Sequence, residues 1–302
     1  MKNRSILNEG YTSHNIFDSG KGQFVFKNKK KFLDLSFGAG TLILGHQSKI
    51  FQKTLKEIHR KNLSLIATPN TEALKYSNLL KKIFPNYRKF VFCNTGSEAI
   101  LKSIRIANAI SKKEMIINVT GSWHGSVDRT LFTSSKSLKS IPISSGLTNF
   151  NKRNIKFIPY NNIVKSKKIL NIHKNKISCI IIEPVQASLP QTKVRKYLKF
   201  LDNYSKKNNI ILIFDETISG IRFNGQSVQQ IFKLNPDIST FGKCLGGGLP
   251  IGIIALRKSI FKKINNLKQK VFFGGTFSAN QISSYLGRKT VEFILKKRKK
   301  YF

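Results

Sequence analysis

No stretch of this chain approaches the apolar length needed to cross a bilayer, and its opening, MKNRSILNEGYTSHNIF, lacks the apolar core of a secretory leader. These absences argue against a membrane partner and lead to the expectation of a cytoplasmic protein. Cysteine is also scarce: Cys93, Cys179 and Cys244 sit in apolar or glycine-rich surroundings with no CxxC spacing. That excludes a disulfide framework and a cysteine metal site, and it predicts free buried thiols. The chain is poor in acids, with 14 Asp and Glu against 54 Lys and Arg for a formal net charge of +40. Every carboxylate in an apolar setting is therefore informative.

A basic surface gathers polyanions without specific contacts. Here the charge is spread as Lys pairs and short runs, such as Lys29 to Lys31, Lys81-Lys82 and Lys297 to Lys300, with no Arg-rich arm and no aromatic interleaving. A solvated surface explains it better than a specific nucleic-acid partner does, although anionic small molecules would still be attracted. With 302 residues, 40% of them hydrophobic, the chain can bury a core of one large domain plus smaller pieces.

Short apolar runs recur: KFVF (89–92), MIINV (115–119), IKFI (155–158), ISCIII (177–182), IILIF (210–214), DISTF (237–241) and GIIAL (252–256). Each is apolar on both faces, as strands covered by helices on either side should be. Helical patterns such as EAILKSIRIANAI and RKYLKFLDNYSKK lie between them. The alternation predicts an α/β fold with a mainly parallel sheet of about seven strands flanked by helices. Ahead of it, GQFVFKNKKKFLDLSFGAG reads as a hairpin and QSKIFQKTLKEIHRK as a helix; behind it, SANQISSYLGRKTVEFILKKRKKYF reads as one long helix.

In such a sheet ligands bind beyond the carboxyl ends of the strands, so chemistry is sought in the residues that follow each run. After KFVF, Thr95-Gly96-Ser97 opens a helix, where free N–H groups and the helix dipole suit a phosphate; an ordinary N-cap explains Thr95 or Ser97 equally well. After MIINV, the sole Trp of the chain, Trp123, stands beside His124 between two glycines, placed either to stack on a planar ring or to pack in the core. After ISCIII comes Glu183 with Gln186 close behind, and after IILIF comes Asp215 with Thr217 close behind. A carboxylate at that depth needs a cation or strong donors: a protonated nitrogen heterocycle, a local turn, or a neighbour such as Arg222. After DISTF, Lys243 precedes three glycines. A desolvated lysine at a strand end offers a neutral amine to a carbonyl, and the glycines admit a bulky adduct.

Phosphate cradle, stacking aromatic, carboxylate and Schiff-base lysine at successive strand ends describe a pocket for pyridoxal 5′-phosphate. From about Gly22 onward the sequence resembles the class III aminotransferases of fold type I, in particular their glutamate-1-semialdehyde 2,1-aminomutase-like branch. The resemblance is carried by LILGH (42–46), NTGSEA (94–99), GSWHG (121–125), SSGLT ahead of IPYNN (144–162), IIEPVQ (181–186), IFDETISGIRF (213–223), NPDISTFGKCLGGGLPIG (235–252) and GGTFSANQ (274–281).

The resemblance implies that Lys243 is the Schiff-base residue and proton shuttle, and that Asp215 pairs with the ring nitrogen. It further implies that Thr95, Gly96 and Ser97 hold the phosphate, Trp123 stacks on the ring with His124 and Glu183 nearby, and Gln186 approaches the ring hydroxyl. Thr276 would reach the phosphate of a neighbouring subunit in a homodimer. Thr217 stands where the family has Val or Ile beneath the ring, and Ala279 and Gln281 replace the common Gly and Pro. Three parts follow: an N-terminal hairpin and helix (1–65), a cofactor-binding large domain (66–272), and the start of a C-terminal domain (273–302). The family continues for on the order of 100 further residues. The chain is therefore expected to lack most of its closing domain.

The implied activity is amino-group transfer on a small amino or oxo acid, within one substrate as an aminomutase or between two as a transaminase on an amino-sugar or ω-amino compound. An inactive fragment or basic polyanion-binding protein is the alternative of another class. Arg222 and Ser36 are candidate substrate contacts, each equally explained as structural.

Overall fold

The apolar runs become the seven strands of one sheet, preceded by a three-stranded meander and accompanied by a small hairpin. In the computed structural model the protein is described from residue 16 to residue 301; residues 1–15, with most of the opening in which no leader is expected, and Phe302 lie outside the described residues. The meander is β1 (Ser19–Lys21), β2 (Phe24–Lys27) and β3 (Lys30–Leu33), antiparallel throughout. The sheet strands are β4 (Tyr87–Cys93), β5 (Met115–Val119), β8 (Ile155–Ile158), β9 (Ile177–Ile182), β10 (Ile211–Asp215), β11 (Ile238–Gly242) and β12 (Gly252–Arg257). Between β5 and β8 lies the hairpin of β6 (Phe132–Ser134) and β7 (Ser140–Pro142).

The strand order is β4-β12-β11-β10-β9-β5-β8, with parallel pairing from β8 across to β11. β12 alone runs against its neighbours on both sides. Parallel strands need a crossover of a dozen or more residues, whereas only residues 243–251 separate β11 from β12, so that connection can only turn back. Among the boundaries that shift from those read in the sequence, two bear on the site: Asp215 is the last residue of β10 and Gly242 the last of β11. Both stay within ladder register with the neighbouring strand, Asp215 opposite Thr240 and Gly242 opposite Gly252.

Residues alternate between two buried faces. On one, Ile180 and Ile182 of β9 and Leu212 and Phe214 of β10 pack under Leu170, Tyr197, Leu198 and Leu201 of the Ile163–His173 and Arg195–Lys207 helices. On the other, Cys179, Ile181, Ile211 and Ile213 pack under Ile100, Ile104 and Ala107 of the Gly96–Ser111 helix and Ile260 and Ile264 of the Lys258–Asn265 helix. Each such side chain contributes ~1.5–3 kcal/mol by leaving water. The Gln281–Tyr301 helix places Val291 and Ile294 in a third cluster with Tyr76, Leu80, Phe90 and Ile253. It shares a core with the sheet. The three cysteines are free and buried. Among the described residues, no helix is long and apolar enough to cross a membrane.

Candidate active site

Because the other six strands of the sheet end on one edge and antiparallel β12 begins there, the loops that follow β4, β5, β10 and β11 converge with the residues preceding β12. Gly252 is the meeting point, paired with Cys93 of β4 on one side and Gly242 of β11 on the other. A Cβ on Gly252 would overlap the Thr95 carbonyl, so only glycine lets the loop after β4 lie against β12. The resulting cavity of about 460 Å³ is walled by Thr95, Gly96, Ser97, Trp123, His124, Asp215, Thr217 and Lys243, and closed by Leu249, Pro250 and Ile251.

At one end the Gly96–Ser111 helix starts. Thr95 caps it by accepting from the Glu98 N–H at 3.1 Å, which leaves the earlier first-turn N–H groups to serve an anion. N-cap and anion cradle are thus the same structure rather than rivals. The Ser97 hydroxyl accepts from the Ser126 N–H at 3.0 Å and keeps its own proton to donate. Gly125, in the left-handed region at φ 75°, lies so close that a Cβ would overlap Ser97 Oγ.

Asp215 is buried at the end of β10. Its Oδ1 accepts from Thr240 Oγ1 at 2.9 Å and from the Thr217 N–H at 3.1 Å, and its Oδ2 lies 2.8 Å from His124 Nδ1. Burial pushes this carboxyl up, but the hydrogen bond and charge of His124 together with the Thr217 N–H more than offset it, and the group lies below the ordinary carboxylate value. Arg222 is not its partner; that guanidinium donates to the carbonyls of Ile218 and Gly40.

Lys243 follows β11 with a left-handed backbone, φ 47°, an uncommon and costly conformation for a side chain of this size. Its Nζ donates to the Ala39 carbonyl at 2.8 Å and forms no ion pair with Asp215. Burial lowers its basicity, opposed by the charge of Asp215, so the neutral amine is more available than in an exposed lysine.

Two residues expected at the cofactor do not wall the cavity. Glu183 and Gln186 are buried behind the loop that follows β5: Glu183 Oε2 accepts from the Trp123 N–H at 2.8 Å, and Gln186 Nε2 donates to the Thr120 carbonyl at 2.7 Å. They hold that loop and do not wall the cavity, because the loop's backbone donors and acceptors face them. Burial, and next the charge of Asp215, push Glu183 up to about 6. Thr276 is exposed and away from the cavity of its own chain. Trp123, by contrast, is 56% exposed at the cavity and is not a core residue. Ser36 is bonded to Asp34.

Several residues of the site went unread in the sequence. Thr41 and Asn94 also wall the cavity, and Asn118 of β5 lies behind His124, 3.1 Å from its Nε2. Thr41 is adjacent to the LILGH motif, which is the signal that could have found it. A lone Asn inside MIINV was the signal for Asn118.

A model of the class III aminotransferase family matches residues 7–299. The glutamate-1-semialdehyde 2,1-aminomutase of Archaeoglobus fulgidus is 34% identical over 282 residues, covering 91% of this chain and 66% of the relative. That of Wigglesworthia glossinidia brevipalpis is 33% identical over 281 residues, covering 90% of this chain and 63% of the relative. The chain thus spans slightly less than two thirds of the length of these relatives. In fold it is similar to an ω-transaminase from Sphaerobacter thermophilus, with a TM-score of 0.83 at 23% identity over 92% of this chain and 66% of that one. A transaminase with PLP bound matches with a TM-score of 0.82 at 23% identity, again over 92% and 66% of the two chains. With the strand-end site, the sheet order and the family match in agreement, the chain belongs to the class III aminotransferase family.

Proposed function

We propose that the cavity takes pyridoxal 5′-phosphate and that the chain carries the cofactor-binding part of an enzyme transferring an amino group on a small amino or oxo acid, of the glutamate-1-semialdehyde 2,1-aminomutase kind. One observation carries the reading: a half-buried lysine amine, a buried carboxylate and an open helix start share a single cavity. The cavity also suits the cofactor in detail. Thr217 walls it beside Asp215, and glycine at 252, where a Cβ would overlap the Thr95 carbonyl, lets the open helix start lie against β12 as a cradle.

When bound, this cofactor supplies an aldehyde and a cationic ring that draws electrons from the substrate carbon. The chain's own residues do the rest. The first turn of the Gly96–Ser111 helix, with the Ser97 hydroxyl, binds the phosphate. Asp215, kept a carboxylate by its donors, would hold a proton on the ring nitrogen, and Trp123 at the cavity mouth would stack against the ring. Lys243 Nζ would offer its neutral amine to the aldehyde end of the cofactor and would move the proton at the reacting carbon of a bound substrate. Glu183 and Gln186 act on this site through the loop that carries Trp123.

The substrate assignment is supported by the aminomutase relatives at about one-third identity. A homodimer in which Thr276 serves the neighbouring cavity accords with its exposed place outside its own. The division into residues 1–65, 66–272 and 273–302 belongs to the same reading, and a cytoplasmic location is supported by three unpaired buried thiols.

The test is reconstitution. Protein incubated with the cofactor and then freed of the unbound excess should stay yellow, and borohydride should fix the cofactor's mass onto Lys243. Protein that comes through colourless and without added mass, as Lys243→Ala should, would sink the proposal. Glutamate-1-semialdehyde supplied without a second amino acceptor then separates the two reactions: turnover that appears only when a 2-oxo acid is added rules out the aminomutase.

A further inference from the structure

Asn118 is the penultimate residue of β5, fully buried, with no direct place in the cavity wall. Its Oδ1 accepts from the Val119 N–H at 2.8 Å and lies 3.1 Å from His124 Nε2, while its Nδ2 is buried without a partner. The Val119 N–H settles which way the carboxamide faces, since turning it over would set two donors against each other at that distance. Such an unpartnered buried amide is unfavourable, and this orientation retains it to keep an oxygen against His124. On the other side of the ring, Nδ1 meets Asp215 Oδ2 at 2.8 Å. His124 thus stands between two oxygens, and it satisfies both only with a proton on each ring nitrogen.

We propose that Asn118 is a positioning residue: its pinned oxygen holds His124 doubly protonated, and the charged ring in turn holds Asp215 as a carboxylate facing the cavity. The charged groups around the ring accord with this. Asp215 from β10 and Glu183 after β9 both present carboxyls to His124, while Lys243 after β11 interacts with those same carboxyls from the cavity. The chain Asn118–His124–Asp215 therefore runs from the interior of the sheet to the atom that would meet the ring nitrogen. Its consequence for the cofactor rests on the function proposed above; its protonation pattern does not.

The experiment labels histidine with ¹⁵N in the full chain and records ring one-bond and long-range ¹H–¹⁵N correlations near neutral pH, before and after adding pyridoxal 5′-phosphate, with the His124 signals identified by their loss in His124→Asn. Both His124 nitrogens should carry protons in the wild type and in Asn118→Asp, which keeps the oxygen. In Asn118→Leu one nitrogen should lose its proton, and the dissociation constant of the cofactor should rise about tenfold. A wild-type His124 with one bare ring nitrogen overturns the proposal, even if Asn118→Leu cannot be folded. A folded Asn118→Leu that retains both protons overturns it as well. Intact protonation in a chain that takes up no cofactor overturns the proposed function and leaves the role of Asn118 standing.

Discussion

The Nζ of Lys243 donates to the carbonyl oxygen of Ala39 at 2.8 Å, tying the cavity lysine to a segment 204 residues earlier in the chain. Residues Phe37 to Gly40 are held there in a run of left-handed conformations with φ between 47° and 82°. An amine turned to an aldehyde bound in the cavity would release this bond. Hydrogen exchange at Gly40 and Thr41 is therefore expected to speed up on adding pyridoxal 5′-phosphate, and to be fast already in Lys243→Ala. Exchange unchanged in both cases would show that the bond does not hold the segment.

The left-handed backbone of Lys243, φ 47°, separates two variants at that position. Glycine adopts this conformation freely, whereas alanine retains the clash of Cβ with the following carbonyl, worth roughly 1 kcal/mol. Lys243→Gly should be more stable than Lys243→Ala by about that amount in urea unfolding; equal midpoints would mean the strain is absent.

Removing the Asp215 carboxylate strips acceptors from His124 Nδ1, Thr240 Oγ1 and the Thr217 N–H together. Asp215→Ala should lose on the order of 3 kcal/mol of stability, because buried donors are left unmade. Asp215→Asn keeps one oxygen and should lose less while still weakening cofactor binding. Chemical denaturation and cofactor titration of the pair check both statements.

Gly252→Ala pushes a methyl into the Thr95 carbonyl, where backbone on both sides prevents side-chain relief. A destabilisation of ~1–3 kcal/mol is expected, as for other overpacked sites. Phosphate affinity should fall at least tenfold, measured by calorimetry, because the helix start is displaced.

Glu183 titrates near 6 in the folded protein against an ordinary 4.5, so the native state binds more protons between those values. Stability is therefore highest, in this group's contribution, below pH 4.5 and declines as pH rises through about 6, by about 2 kcal/mol in all. Glu183→Gln keeps an acceptor for the Trp123 N–H and should lack that decline. The difference between wild-type and variant unfolding free energies across pH 4–7 reads it directly.

The strands were legible because most of the apolar runs are buried on both faces and bounded by turn residues, and Asp215 and Lys243 were legible because they stand at the ends of such runs. Glu183 and Gln186 occupy strand-end positions too, yet they face the loop that follows β5. That depends on how β5 and β9 lie side by side, and nothing in their own spacing encodes it. Asn118 was hidden for a related reason: a strand covered on both faces shows no polar alternation, so one Asn within it gives no direction. The reversal of β12 was encoded in the brevity of residues 243–251.

That reversal also sets the order of assembly. β12 pairs with β4, a strand that leaves the ribosome some 160 residues earlier, and through that pairing Gly252 seats the Thr95 loop. Contacts so distant in sequence close slowly and late. A nascent chain therefore presents no complete anion seat until it has been synthesised through Arg257, and cofactor cannot template folding before then.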